Sequence, residues 1–575
     1  PWCSPLRADL RGLPPVWLQV GTDELLHAQA LQLLERLRDA GVPVHCQVGQ
    51  GRWHVWPLNA GVLPGATAAV QAAARFAAEV LDGGTPLPAA PAPGTPRRHR
   101  VLVLGAGMSG LCTAIRLKQR GIHDFVVLEK SAGLGGTWWD NRYPGAHVDV
   151  PAPLYSFSFQ PYARWKRRFA AAPEIQAYMA FCAQRHGVTP HLRLGESVVD
   201  AAWDEADRLW RLRTASGRVH EAPWFVCSTG PLNQARWPDI PGLADFAGQR
   251  LHSAQWDPDV PVAGRRVGVI GTGSTASQLI PPLAAQAARL TVFQRTANWV
   301  LPRMDRPYGG LDRLLMRWGP YAKAVRAFWY GVTEWGRRGF DEGTLARRSM
   351  LKLAAANLKP VRDPALRRKL QPPYPLGCKR IIYSSDFYPA LVRPNVALVT
   401  EGIARITPGG IVTADGTEHP LDLLVCATGF DTTHLLASLA VRGRGGRRLS
   451  EAWAQGPEAY RGVTVPGFPN LFLMLGPNTG TGHTSTLLYI EPQVDFALAA
   501  MARTEARGAQ VFEVRDEVFR AHNQALQARL AGSVWSLCRS WYRTDSGRIT
   551  ALWPGFTGEY VRGLARPDWA DYTQA

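Results

Sequence analysis

Arg100-Val-Leu-Val-Leu104-Gly105-Ala-Gly-Met-Ser-Gly110 is the stretch that decides the fold. A short apolar run, suited to a buried parallel strand, ends in G-x-G-x-x-G. A helical stretch to about Gln119 follows, then Phe125-Val-Val-Leu-Glu129, a second strand ending in an acid. Each part has a physical use. Gly105 permits the tight turn, Gly107 lets backbone approach a pyrophosphate, and Gly110 lets helix and strand pack closely. The helix N-terminus faces the anion, and Glu129, 24 residues after Gly105, suits ribose hydroxyls. The expectation is a dinucleotide-binding α/β domain.

The unit occurs twice. Arg266-Val-Gly-Val-Ile270 leads into Gly271-Thr-Gly-Ser-Thr-Ala276, a helix to about Ala288, and a strand over 290–294. At the matching place, again 24 residues on, stands Arg295 in place of an acid. A carboxylate suits a free 2′-hydroxyl, and an arginine suits a 2′-phosphate. The first site therefore calls for a cofactor such as FAD or NAD, and the second for NADP. Thr272, Gly273, Ser274, Thr275 and Thr296 line the second motif. In so arginine-rich a chain, Arg295 also has the plainer reading of a surface residue.

Composition sets the limits. The chain has 575 residues, 46% hydrophobic and 19% charged, enough for about three or four domains. Its formal charge is +19, carried by arginine scattered along the whole length. A positive field of this kind attracts anionic cofactors; no nucleic-acid-binding module accompanies it. The eight cysteines form no C-x-x-C motif, so redox and zinc readings lose support and free thiols in a cytoplasmic protein are expected. No metal site is expected. No apolar run reaches membrane-spanning length, and no signal peptide is seen. The chain opens on Pro1 in place of Met.

Between and around the two motifs the chain reads in segments. Residues 83–98, rich in Pro, Gly and Ala, form a linker. Residues 99–245 and 395–575 are assigned to the first dinucleotide domain, and 246–394 to the second, inserted within it. Residues 303–372 are basic and helical, a cap over a site or a packing element. Gly135-Gly136-Thr137-Trp138, Asn141-Arg-Tyr143-Pro-Gly145, Asp149 and Tyr155 suit a loop along a flat ring, or an ordinary turn-rich loop. Leu423–Cys426 with Ala427-Thr-Gly-Phe-Asp431 is read as returning the chain to the first domain.

Residues 1–82 read as a partial α/β unit. Ser4-Pro-Leu, Leu13-Pro-Pro, Gly21-Thr-Asp23-Glu24, Gly41-Val-Pro-Val44 and Gly51-x-x-His54 resemble the C-terminal end of an α/β-hydrolase of the esterase/lipase type. That resemblance makes Asp23 and His54 two members of a triad. No G-x-S-x-G occurs in the chain, so the pair has no serine to activate. The unit is expected to be a truncated or vestigial hydrolase, silent here, from a parent in which an esterase could cleave an ester product.

Over residues 99–575 the chain resembles the flavin-dependent Baeyer–Villiger monooxygenases. Phe246-Ala-Gly248-Gln-Arg-Leu-His252-Ser-Ala-Gln-Trp256-Asp257 fills the family fingerprint F-x-G-x-x-x-H-x-x-x-W-[PD]. Phe293-Gln-Arg-Thr296 and Ser540-Trp541-Tyr542 agree with it; Ala297 departs from the family's usual proline. The resemblance implies FAD and NADP(H) as cofactors. It also implies O₂ and a small-molecule ketone as reactants, and an ester or lactone formed through a C4a-peroxyflavin. It makes Arg380 the catalytic residue, paired with Asp149, with Lys379 on the NADP 2′-phosphate and Trp541 near the nicotinamide ribose. His252 becomes a contact of the linker joining the domains. The alternative of the same fold is an N- or S-oxygenating flavin-containing monooxygenase.

Overall fold

The computed structural model describes residues 8–21, 26–49, 57, 60, 64–81, 96–431, 436 and 439–575. Asp23, His54 and residues 83–95 of the expected linker lie outside them. The chain divides into two compact units, residues 1–98 with 217–221, and the remainder.

In the smaller unit, strands Val16–Gly21 and Val44–Gly49 pair in parallel, Val16 opposite Val44. Helix His27–Asp39 crosses between them and buries Leu34 and Leu37, the latter against Leu10 and Val42. Trp17 stacks on His45 with centroids 4.4 Å apart. This is one β-α-β unit of an α/β layer.

The larger unit is built on two parallel five-stranded sheets. The first has the order Leu471–Leu473, Trp224–Cys227, Val101–Leu104, Phe125–Glu129, Leu192–Leu194. The second has the order Gln249–His252, Leu423–Cys426, Arg266–Ile270, Arg289–Phe293, Val396–Val399. Val101–Leu104, Phe125–Glu129 and Leu423–Cys426 are buried at every position, as parallel strands covered on both faces must be. Helix Met108–Gln119 follows the first glycine motif and Ser274–Gln286 the second. In sequence, the strands of the second sheet all fall between Trp224–Cys227 and Leu471–Leu473 of the first, and helices Gly310–Leu315, Gly319–Arg337, Leu345–Asn357 and Pro364–Lys369 fall between Arg289–Phe293 and Val396–Val399.

Three expectations are corrected. The assignment of 395–575 to the first domain fails at its start. Val396–Val399 pairs with Arg289–Phe293, and Leu423–Cys426 lies at the heart of the second sheet. A buried apolar strand reads alike in either sheet, so the pattern alone could not say which one takes it. The return comes only after Cys426. There the two crossings lie side by side: Arg236 N–H donates to Gly429 O at 3.0 Å and Asp431 N–H to Gln234 O at 2.9 Å. Second, the cysteines are not all free thiols. Cys378 and Cys538, 160 residues apart, form a disulfide, which no local spacing reveals. Third, the linker segment 246–257 carries regular structure, since Gln249–His252 is the edge strand of the second sheet. Among the described residues no helix is long and apolar enough to cross a membrane.

Candidate functional site

The first glycine motif forms a cradle with no room for side chains. Gly105 sits at φ +99°, and a Cβ there would lie 2.7 Å from Ser228 O. A Cβ on Gly110 would overlap the Gly105 carbonyl. Gly136, at φ +53°, faces Gly107 so closely that its Cβ would lie 2.9 Å from the Gly107 Cα. Gly107 is the N-cap of the following helix and lends it no side-chain cap, which leaves first-turn N–H groups for an anion. Glu129 is buried at the end of its strand. Its Oε2 accepts from Ala106 N–H at 2.7 Å and its Oε1 from Ser131 N–H at 2.8 Å. The carboxylate is thereby held beside the glycine turn, where a ribose edge would lie. Thr137 opens the short helix Thr137–Asp140. Trp138 Nε1 donates to the Tyr155 hydroxyl at 3.2 Å, the two rings edge to face. These residues fit a flavin dinucleotide.

The second motif is roomier. Gly271 (φ +110°) would bring a Cβ within 2.7 Å of Ala427 O, whereas Gly273 faces open space. Ala276, in the place of the third glycine, is fully buried, so this helix stands far enough off to admit a methyl. Thr272 Oγ1 donates to Thr296 O at 3.5 Å, and Asn298 Nδ2 donates to Thr272 O at 2.9 Å, closing the motif onto the segment after Arg295. Ser274 and Thr275 form the first turn of the helix.

Arg295 is exposed and Lys379 half-buried. Burial, and then the nearby Arg295 charge, lower the Lys379 ammonium below its ordinary value. Lys379 also lies over the Tyr374 ring at 4.8 Å. Two cations held near each other, with no ion pair to a carboxylate among the described residues, form a receptor for an anion with several charged oxygens.

Arg380 adjoins Lys379 but serves another partner. Its Nη2 and Nε donate to Asp149 Oδ2 at 2.5 and 3.2 Å, and its Nη1 donates to Thr481 O at 3.4 Å. The side chains are 32% and 25% exposed. Burial alone would raise the Asp149 carboxyl, but the guanidinium overrides it and holds it below the usual carboxylate range. Reciprocally, Asp149 raises Arg380 further. Tyr383 and Tyr542 lie within electrostatic reach of the pair, both pushed up to about 12, chiefly by burial. Trp541, 43% exposed, packs on Tyr542 at 4.4 Å. The Cys378–Cys538 disulfide ties the segment carrying Lys379 and Arg380 to the one carrying Trp541 and Tyr542.

The fingerprint residues sit where the chain passes between domains. Phe246 and Trp256 are buried. Gly248 has no room for a Cβ, with Asp422 O at 2.6 Å and the Phe246 ring at 2.7 Å. His252 is fully buried. Its Nδ1 accepts from Ala254 N–H at 3.2 Å, so Nε2 carries the proton toward Thr428 Oγ1 at 3.4 Å. Thr428 in turn donates to Arg236 O at 2.5 Å. Burial lowers the His252 pKa, which keeps the ring neutral. Asp257 closes a turn by accepting from Asp259 N–H at 3.0 Å.

Sequence reasoning missed several residues. Gln278, on the helix of the second motif, accepts from Tyr143 O–H at 2.8 Å and His147 N–H at 3.2 Å, and donates to His147 O at 3.0 Å. It fastens the first domain's loop to the second domain. Nothing in its surroundings signals this, because the contact spans 131 residues. His147, hydrogen-bonded to Arg303, is lowered to about 4 by burial and by that arginine. Glu334 accepts from Thr557 N–H at 3.1 Å and meets His483 Nε2 at 3.3 Å, behind the loop that receives Arg380. His483 ends the glycine-rich run Gly476-Pro-Asn-Thr-Gly-Thr-Gly-His483, which was the available signal.

Two nucleotide-binding sheets in one chain, with an arginine–carboxylate pair beside the second motif's cation pair, define a two-dinucleotide oxidoreductase of the flavin and nicotinamide type. The comparisons narrow this class. Residues 103–172 match the NAD(P)-binding Rossmann-like domain, and residues 1–58 the alpha/beta hydrolase fold. The chain is 42% identical over 478 residues to a Baeyer–Villiger monooxygenase of Streptomyces coelicolor, covering 82% of this chain and 92% of that protein. It is 41% identical to one of Pseudomonas aeruginosa, covering 83% and 91%. Among solved structures, an oxidised steroid monooxygenase bound to NADP superposes with a TM-score of 0.75 at 32% identity, covering 83% of this chain and 99% of that one. The chain belongs to the Baeyer–Villiger monooxygenase family.

Proposed function

We propose that this protein is an NADPH- and FAD-dependent monooxygenase that inserts one oxygen atom from O₂ into a ketone, giving an ester or lactone. The observation that carries the reading is the Arg380–Asp149 pair beside the Lys379–Arg295 cation pair, in a chain with both nucleotide cradles. The flavin supplies the redox and oxygen chemistry when bound.

The chain's own residues bind, orient and stabilise. The Gly105–Gly110 cradle, Gly136, Thr137, Trp138, Tyr143 and Tyr155 hold the flavin nucleotide, and Glu129 takes its ribose. Gly271 to Thr275 take the NADP pyrophosphate, and Arg295, Thr296 and Lys379 the 2′-phosphate. Trp541 covers the nicotinamide ribose. Arg380 stays cationic at every working pH and offers a planar fork of N–H donors. It stabilises negative charge on oxygen in the transition state, as an oxyanion hole does. Asp149 holds the fork on one bearing. Residues 99–245 with the chain after about 431 form the FAD domain, and 246 to about 426 the NADP domain. His252, bonded across the two crossings, transmits domain movement and transfers no proton. A cytoplasmic setting, where NADPH is regenerated, suits this reading.

The test uses purified protein, FAD, NADPH and a panel of cyclic and linear ketones and thioethers, with products identified by mass and retention. Esters or lactones are expected. Sulfoxides alone, with no ester from any ketone, would overturn the reading in favour of heteroatom oxygenation.

A further inference from the structure

Helix Gly319–Arg337 carries apolar side chains on two faces. Ala322, Tyr321 and Val325 pack inward against the core, and the polar side chains of Arg326, Thr333 and Glu334 point inward beside them. Arg326 donates to Ser156 O at 2.5 Å and Leu154 O at 3.1 Å, Thr333 meets Thr484 at 2.8 Å, and Glu334 meets His483. Its outer face, at helical spacing, is Pro320, Ala324, Ala327, Phe328, Gly331 and Trp335, with Lys323 at the edge. Phe328 is 63% exposed, Trp335 44%, and Trp318 at the helix start 63%. The preceding short helix, Gly310–Leu315, adds exposed Leu311 and Leu314. A surface helix normally turns its apolar stripe to the core. An outward apolar stripe carrying large aromatics marks a surface meant to be covered.

Charge says what covers it. Residues 303–372 carry sixteen Lys and Arg against six Asp and Glu. Four of the acids are engaged within the protein: Asp305 with Arg167, Asp312 with Arg306, Glu334 with His483, and Asp341 with Arg337. The basic side chains Arg313, Arg317, Lys323 and Arg338 remain exposed around the apolar face. A second copy would set this positive region against itself. Tryptophan, phenylalanine and leucine bordered by lysine and arginine match the headgroup layer of an anionic bilayer.

We propose that the Gly319–Arg337 helix and the short helix before it dock the enzyme on the surface of anionic membranes, lying in the interface without spanning it. The proposal goes beyond the oxygenation reading and is tested without turnover. The full chain is sedimented with phosphatidylcholine vesicles containing about one-third phosphatidylglycerol, and with phosphatidylcholine vesicles alone. Strong binding to the first, falling as salt rises from about 0.05 to about 0.5 M, is expected. Phe328→Ser/Trp335→Ser should lower the partition coefficient at least about tenfold, with melting temperature and flavin absorbance unchanged. Two results overturn the proposal. One is equal binding by wild type and variant, or by neither. The other is a wild-type dimer that the variant converts to monomer in light scattering, which would make the face an interface between copies.

Discussion

Arg380 grips a single oxygen of Asp149, with Nη2 at 2.5 Å and Nε at 3.2 Å, and leaves Nη1 turned to the Thr481 carbonyl. The carboxylate thus sets the plane of the guanidinium without saturating it. A lysine placed there would keep the charge and lose the plane.

Arg380→Lys should therefore reduce ester formation by about 10²–10³-fold, the usual cost of a lost oxyanion donor. Reduction of the flavin by NADPH, followed anaerobically at 450 nm, should stay within a fewfold. Equal loss in both half-reactions would show that the residue merely holds the fold.

The same pair predicts a pH dependence. Asp149 is held below the usual carboxylate range, so the stability it contributes is complete above the ordinary value of about 3.9. That contribution is lost as pH falls through the lowered value. Asp149→Asn should cost about 1–3 kcal/mol near neutrality, since the pair is partly exposed. The gap between wild-type and variant unfolding free energies should stay level down to about pH 5 and close below about pH 4. A gap that closed on raising the pH instead would contradict the assignment.

Lys379→Ala and Arg295→Ala should each raise KM for NADPH by about 10–100-fold, the worth of one charged hydrogen bond to phosphate. KM for NADH should barely move. Loss of both nucleotides to the same degree would place the 2′-phosphate elsewhere.

Gly136→Ala should release flavin. Its Cβ would press on the Gly107 backbone at 2.9 Å, and φ +53° is strained for alanine. The purified variant should carry a fraction of the wild-type FAD content by absorbance. Full occupancy would mean that the cradle yields more than its geometry implies.

His252 bridges the two crossings through Thr428 and Arg236. In His252→Ala, NADPH oxidation should exceed product by about severalfold with FAD retained, because a gating contact is lost and no catalytic group is. Loss of FAD would reduce the segment to a structural role.

Much of this architecture was legible from local pattern. Glycines at fixed offsets, strand runs and the terminal Glu129 or Arg295 all act within one supersecondary unit, so short range suffices to read them. The residues that join units were not legible. Gln278, the Cys378–Cys538 disulfide and the Glu334–His483 contact each join segments more than a hundred residues apart.

The amino-acid sequence by itself determined two glycine cradles, the acid or arginine that follows each second strand, and the family fingerprint, since each rests on backbone freedom and side-chain type within a few turns of chain. Only the tertiary structure decided that Leu423–Cys426 belongs to the second sheet, because a buried strand pairs by which edge it meets and not by its composition. It also left Phe328 and Trp335 of the Gly319–Arg337 helix facing outward. The face that is buried is set by distant partners: Ala322 and Val325 pack on the core, and Arg326 and Glu334 bond to segments far away in sequence.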